Sequence, residues 1–404
     1  MKFLCINCNY HKSRSLINFG RISFTGKFPK KNQNIKKAPI NLVMCKNCKL
    51  VQLKDKFNQS YLFNNDYGYR TGINETMRSH VKDIVKIASS LVKLKRNDYV
   101  LDIASNDATL LNFYPATVIK FGIDPIINKY IKEYQKINFF VADFFSKKNI
   151  QKLTYKKFKI ITALAVFYDL HKPNNFLNDI ENILEDNGIL ILEFTDLYSI
   201  LKKNMFDAFC HEHIGYYSIK ILNEICQKNN LRIFDLSQNE INGCTTTFFI
   251  CKKSALFKQK NTLKQLLKIE KIKKLDNIKT YQNFFYNIKK LQKNLNLKLK
   301  EIKKKNKTIH GYGASTKGNV LLQYFKISNK TVSFIAERNT LKFGLYTPGS
   351  KIKIISEAAS RKLNPDYFLV LPWHFKDEIL KREKKLISQG TKFIFPLPKL
   401  EIFF

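Results

Sequence analysis

From residue 98 onward the chain repeats one unit: a short run of apolar residues, a small polar turn, then a polar stretch with helical spacing. "DYVLDIASND", "VIKFGIDP", "INFFVADFF" and "FKIITALAVFYDL" are four such runs; the helical "PNNFLNDIENILEDNG", with its stop expected at Gly188, and the apolar "ILILEFTD" follow. Continuous apolar runs suit strands covered by helices on both faces of a parallel sheet. Their alternation with helices predicts a doubly wound α/β domain that binds ligands at the carboxyl ends of its strands. A helix then a strand over 219–235, and the β-branched "NGCTTTFFICKK", close the unit.

The flanks read differently. Residues 1–56 hold "CINC" and "CKNC", each a tight turn that aims two thiolates at one point. Cys5, Cys8, Cys45 and Cys48 would complete a tetrahedral sulfur site for structural Zn²⁺, with no coordination position left for chemistry. In so small a segment the metal replaces a hydrophobic core. Next, "NNDYGYRTGINETM" forms a polar, aromatic loop leading into a helix with Val81, Ile84, Val85, Ile87, Ala88 and Leu91 on its apolar side. The lysine-rich stretch 256–306 has helical spacing and predicts one long amphipathic helix with a solvated basic face. After it, "KTIHGYGASTKGNVLLQYF" reads as strand, glycine loop and helix, and "VSFIAERN", "PDYFLVLPW" and "TKFIFPL" as further strands of a second, smaller α/β domain. The expected division is 1–56 for the zinc module, 57–255 for the central domain, and 256–404 for the linker helix and last domain.

The chain's 404 residues suit two or three domains. Its formal charge of +39 invites a nucleic-acid reading. The lysines, however, are spread over every segment, and no nucleic-acid motif accompanies them, so nucleic acid is not the expected partner. No run of about 18 apolar residues is present, so no membrane span is expected. The start lacks a secretory pattern, and a cytoplasmic location is the default.

Three aspartates follow three successive strands: Asp102 in "VLDIASND", Asp124 in "GIDP" and Asp143 in "VADFF". A carboxylate after the second strand can take both hydroxyls of a ribose. Asp102 can orient an amino-acid moiety through the turn that carries Ala104 and Asn106, and Asp143 can reach an adenine amino group. Any one of them could merely cap a helix; three in succession describe a nucleoside site. The first loop lacks GxGxxG, which favours S-adenosylmethionine (SAM) over NAD.

With these motifs in order, the chain resembles the deoxysugar C-methyltransferases. "CINC…CKNCKLVQL", "YGYRTGINETM", "VLDIASNDATLL", "FYDL", "CHEHIGYYS", "GYGASTKGNVLL", "ERN…KFGLYTPG" and "PDYFLVLPWHF" carry the resemblance over nearly the whole chain. It implies a class I SAM-methyltransferase Rossmann-like domain between a zinc-ribbon-like module and a smaller Rossmann-like domain. It also implies a reaction on a nucleotide-linked 4-keto-6-deoxyhexose: a base removes the C3 proton, and the resulting enolate takes a methyl group. The implied base is His213, with Glu212 beside it and Tyr67 or Tyr69 at the keto oxygen. Cys210 and His211 are expected at the substrate, where antibiotic-pathway relatives carry tyrosine in place of Cys210. Relatives carry glycines at Ala104 and Ala108, where alanine fits only if φ is negative. Lys317, in the glycine loop, is expected to help bind the sugar nucleotide, whereas His374 is read as structural.

Two competing readings stand beside this one. The first is a SAM-dependent O- or N-methyltransferase acting on another small metabolite. The second, motivated by the charge, is a zinc-containing nucleic-acid-binding protein.

Overall fold

The computed structural model describes residues 3–404 and contains three sheets. The first is antiparallel: β1 (Ser13–Ser23), β2 (Lys37–Cys45) and β3 (Val51–Leu53) are joined at the β3 edge by a strand from much later in the chain. The central sheet contains β4 (Tyr99–Ile103), β5 (Ile119–Ile123), β6 (Phe139–Val141), β7 (Phe158–Leu164) and β8 (Leu184–Phe194). The late strand that completes the first sheet is β9 (Gly215–Tyr216); β10 (Leu231–Asn239) and β11 (Thr245–Lys252) return to the central one. Central strand order is β10-β11-β8-β7-β4-β5-β6, parallel except that β11 is antiparallel to both neighbours.

The third sheet holds β12 (Ile309–Tyr312), β13 (Phe334–Glu337), β14 (Lys353–Ser356), β15 (Tyr367–Val370), β16 (Lys392–Phe395) and β17 (Glu401–Phe403). Its order is β14-β13-β12-β15-β16-β17, parallel apart from β17. Both larger sheets place their first strand beside the second on one side and a later strand on the other. That arrangement creates the switch point where open α/β sheets bind ligands.

Three local expectations are corrected. The helix expected to stop at Gly188 spans only Pro173–Ile183, and Gly188 lies within β8. A Cβ there would sit 2.9 Å from the Phe158 carbonyl oxygen and 3.1 Å from that of Lys159, so the glycine serves a close backbone approach beside the β7–β8 irregularity. The 256–306 stretch is two helices, Asn261–Ile272 and Ile278–Lys304, parted by Lys274 in the left-handed region and by Asn277 capping the second. In the helix Glu75–Val92, Ile87 faces solvent, 42% exposed, while Val81, Ile84, Val85 and Ala88 are buried.

Packing welds the parts together. Tyr281, Phe284, Ile288, Leu295, Leu299 and Ile302 of the second linker helix lie in one continuous core with residues of both the first and third sheets. Each large apolar side chain fully buried there contributes about 1.5–3 kcal/mol. Across the same region Trp373 Nε1 donates to Asp207 Oδ2 at 2.7 Å. Among the described residues, no helix is long and apolar enough to cross a membrane.

Candidate active site

The two cysteine turns meet. Cys5 and Cys48 Sγ atoms are 3.6 Å apart, as are those of Cys8 and Cys45, and all four sulfurs lie within 4.8 Å of one another. A Zn²⁺ ion with bonds of about 2.3 Å needs sulfur–sulfur edges of about 3.8 Å, so the donor set fits the metal. Each turn ends in a left-handed residue, Asn9 or Lys49, whose N–H donates to the carbonyl of the turn's first cysteine.

One cavity of about 470 Å³ is walled by all the larger parts of the molecule. On one side stands the loop after β4. Ala104, Asn106 and Ala108 have φ of 59°, 50° and 56°. The negative φ expected of the two alanines is therefore overturned. The loop is held in the left-handed form by the Ile123 carbonyl, which accepts from Ala104 N at 2.9 Å, and by Asp124, whose Oδ2 accepts from Asn106 N at 2.9 Å. Left-handed alanine costs roughly 1–2 kcal/mol.

Asp124 also accepts from Ile126 N at 2.9 Å. A carboxylate has about four acceptor sites, so a fixed Asp124 can still take a ribose diol. Asp102 accepts from Thr162 Oγ1 at 2.5 Å, and burial pushes its carboxyl up to about 7, against the Thr162 hydrogen bond. Asp143 lines the cavity rim, exposed, with Asn149 Nδ2 on its Oδ2 at 3.0 Å. Asp102, Ala104, Asn106, Asp124 and Asp143 thus share one wall, which carries three carboxylate acceptors.

The "CHEH" run sits opposite. It is irregular backbone pinned on both sides: Ile214 N donates to the Tyr168 carbonyl at 2.7 Å, and Leu53 N to the Ile214 carbonyl at 2.9 Å. Strand alternation therefore does not set the direction of these side chains. His211 is fully buried away from the cavity, its ring against Phe24 and Phe57 and its Nε2 donating to the Ala38 carbonyl at 3.0 Å. Its expected place at the substrate is overturned, because the first sheet covers it.

His213 and Glu212 both line the cavity. His213 Nδ1 donates to the Ala208 carbonyl at 2.8 Å, and its ring lies 4.0 Å from that of Tyr168. Burial lowers its pKa to about 4, outweighing the opposing pull of Glu212. Glu212 accepts from Gly26 N at 2.8 Å and from Thr25 Oγ1 at 3.1 Å. A Cβ on Gly26 would lie 2.7 Å from Glu212 Oε1 and 3.2 Å from the Tyr67 ring, so only glycine lets this turn of the zinc module reach the site. Tyr67, Tyr69 and Cys210 also line the cavity; burial raises the Tyr67 hydroxyl well above its usual pKa.

The third sheet supplies the remaining wall. Lys317 Nζ donates to the Asn242 carbonyl at 2.8 Å, and burial lowers its pKa. His374, expected to be structural, lines the cavity too. Glu337, at the end of β13, accepts from Ala314 N at 2.6 Å and from the N–H groups of Arg338 and Asn339 at 2.8 Å. It repeats in the third sheet the position of Asp124 in the second. Glu193, at the end of β8, pairs with His80 Nε2 at 2.7 Å on the cavity wall. Thr25, Gly26, Glu193, Glu337 and Asp169 went unread in the sequence. A charge at the end of an apolar strand could have flagged Glu193 and Glu337, whereas Thr25 and Gly26 carry no local signal.

Three family models match consecutive stretches: a zinc binding domain over residues 5–63, a methyltransferase domain over 66–236, and a C-methyltransferase C-terminal domain over 240–398. Together with the relative described below, they support a C-methyltransferase family for this chain. It is a SAM-dependent methyltransferase, with a structural zinc module, a class I methyltransferase domain and a second Rossmann-like domain. It is 25% identical over 364 residues to C-methyltransferase NovU of Streptomyces niveus, covering 89% of this chain and 86% of that one. Among solved structures, a SAM-dependent methyltransferase from Clostridium acetobutylicum matches at 13% identity and TM-score 0.36, covering 43% of this chain and 92% of that one. Magnesium protoporphyrin IX methyltransferase from Synechocystis with bound SAM matches at 12% identity and TM-score 0.33, covering 44% of this chain and 82% of that one.

Proposed function

We propose that this C-methyltransferase acts at C3 of a nucleotide-linked 4-keto-6-deoxyhexose by way of an enolate. The observation that carries the reading is the tautomer of His213. A carbonyl can only accept, so Nδ1 bears the proton, and Nε2 is left as a basic lone pair on the cavity wall.

The C4 ketone acidifies the neighbouring C3 proton, and His213 Nε2 removes it. Glu212, held by Thr25 and Gly26, stabilises the imidazolium that forms. Tyr67 or Tyr69 faces the keto oxygen as a donor. Bound SAM supplies the electrophilic methyl group. Asp124 would hold its ribose, Asp143 its adenine, and Asp102 its amino-acid end through the Ala104–Asn106 turn. Lys317 and the glycine loop beside it offer N–H groups and a cation for a pyrophosphate. Cys210 sits among these groups as a small wall residue. Residues 1–56, 57–255 and 256–404 then divide the work into holding Glu212, binding SAM and binding the nucleotide.

The test is product analysis. Purified protein is incubated with SAM and a nucleotide-linked 4-keto-6-deoxyhexose, and the product is read by carbon NMR. The proposal expects a methyl on a fully substituted ring carbon. A methyl on oxygen or nitrogen, or no transfer to any such sugar, contradicts it.

A further inference from the structure

We propose that Asp169 is a catalytic acid of this site: its protonated carboxyl donates a hydrogen bond to the substrate oxygen on which enolate charge develops. The proposal rests on the enolate reading above and adds a residue to it.

Asp169 stands in the short turn Phe167–Asp169, after β7 at the carboxyl edge of the central sheet. That is where an open α/β sheet gathers its ligand contacts. The turn is rigid. Gln59 Nε2 donates to the Asp169 carbonyl at 2.8 Å, and Ile214 N fixes the preceding carbonyl at 2.7 Å, locking the turn against the segment that carries His213. The side chain lines the cavity with His213, Glu212, Cys210 and Tyr168, yet it is only 7% exposed. Its Oδ1 is buried and has no hydrogen-bond partner among the described residues.

Its neighbour Glu212 is built the opposite way. Glu212 has a backbone N–H and a hydroxyl donating to it. Asp169 is offered no donor at Oδ1, and Glu212 supplies the charge that bears on it. Two adjacent carboxyls in one apolar site do not both ionise, and the proton settles on the one without donors. Burial, reinforced by Glu212, holds the Asp169 carboxyl well above the usual range. The other titratable groups around it are Cys210, Tyr67, Tyr168, Tyr216 and Tyr217, all pushed further from ionisation by burial, and His213, whose pKa burial lowers to about 4. Held protonated in this way, Asp169 has one O–H to give.

An enolising ketone needs such a group. The pair from the C3–H bond forms the C3–C4 double bond as the C4–O π pair moves onto the ketone oxygen, the proton passes to His213 Nε2, and Asp169 keeps its own proton throughout. A carboxylic acid kept neutral by an apolar site is an established means of stabilising an enolate oxygen.

The test compares wild-type, Asp169→Ala and Asp169→Asn proteins for deuterium uptake at the substrate's C3 without SAM, as a function of pH. Calorimetric SAM affinity checks that each variant keeps its fold. Asp169→Ala is expected to slow exchange by about 10²–10³-fold at unchanged SAM affinity. Asp169→Asn, whose amide still donates, is expected to retain most exchange and to lose an alkaline decline that wild type shows. Exchange by Asp169→Ala at the wild-type rate overturns the proposal, as does an alkaline decline that survives in Asp169→Asn. Infrared spectra of unliganded protein with ¹³C-labelled aspartate provide a readout that needs no substrate. A protonated-carboxyl band present in wild type and lost in Asp169→Asn supports the proposal; its absence from wild type overturns it. Wild-type protein that shows the band but no exchange contradicts the enolate reading and leaves the placement of the proton standing.

Discussion

His213 Nδ1 lies 2.8 Å from the carbonyl oxygen of Ala208. That one contact fixes the imidazole tautomer and leaves Nε2 as the acceptor. Replacing His213 with Gln keeps a polar side chain of similar reach and removes the proposed base. Turnover is expected to fall by about 10²–10⁴-fold, while SAM affinity, measured by calorimetry, stays at the wild-type value.

The pH profile should carry the same residue's mark. Burial sets the His213 pKa at about 4. The base is competent when neutral, so activity is present above that value and lost as pH falls through it. kcat/KM, which reports the free enzyme, should keep its acid limb near pH 4. An acid limb at the ordinary histidine pKa would mean that His213 is solvated and charged in the resting enzyme.

Asp102 makes a prediction for cofactor binding. Its carboxyl sits at about 7, raised by burial. SAM is cationic at its sulfonium and amino groups, so it prefers the ionised form. SAM affinity should therefore rise as pH rises through about 7 and level off above it. Asp102→Asn should bind more weakly and lose that dependence. Titration calorimetry across this range decides the point.

The left-handed alanines predict a stabilising change. Ala104 pays a steric cost at φ 59° that glycine does not. Ala104→Gly should raise the unfolding free energy by about 1 kcal/mol in denaturant titrations. Lower stability would show that the alanine methyl contributes more by packing than it loses to backbone strain.

How much of this could be read in the chain depended on the range of the interaction. The parallel strands were legible because strands buried on both faces are unbroken apolar runs, and the cysteine turns because each thiolate pair is local. Gly188 misled because helix stops and close backbone approaches both select glycine; only the Phe158 carbonyl on the neighbouring strand decides between them. The fate of His211 was hidden because the segment around it is not a strand, and because the aromatic rings that cover it, Phe24 and Phe57, come from the other end of the chain. Glu212 likewise finds Thr25 and Gly26 at sequence separations of 187 and 186 residues.

The zinc module is therefore tied to the segment that carries the proposed base. β9, which closes its sheet, begins two residues after His213, and the module's Gly26 holds Glu212. Stripping the metal with a chelator, or Cys45→Ala, should lower the melting temperature and reduce turnover together. Metal content by elemental analysis, followed alongside both, tests this. Turnover that survives complete zinc loss would separate the module from the site.

The central claim is that His213 generates an enolate at C3. Its most direct test is incubation of a nucleotide-linked 4-keto-6-deoxyhexose with the protein in D₂O, without SAM, followed by proton NMR of the C3 position. Wild-type protein should wash out the C3 proton, and His213→Gln should not. Retention of that proton by wild-type protein with a sugar it methylates, or equal loss with His213→Gln, would contradict the account.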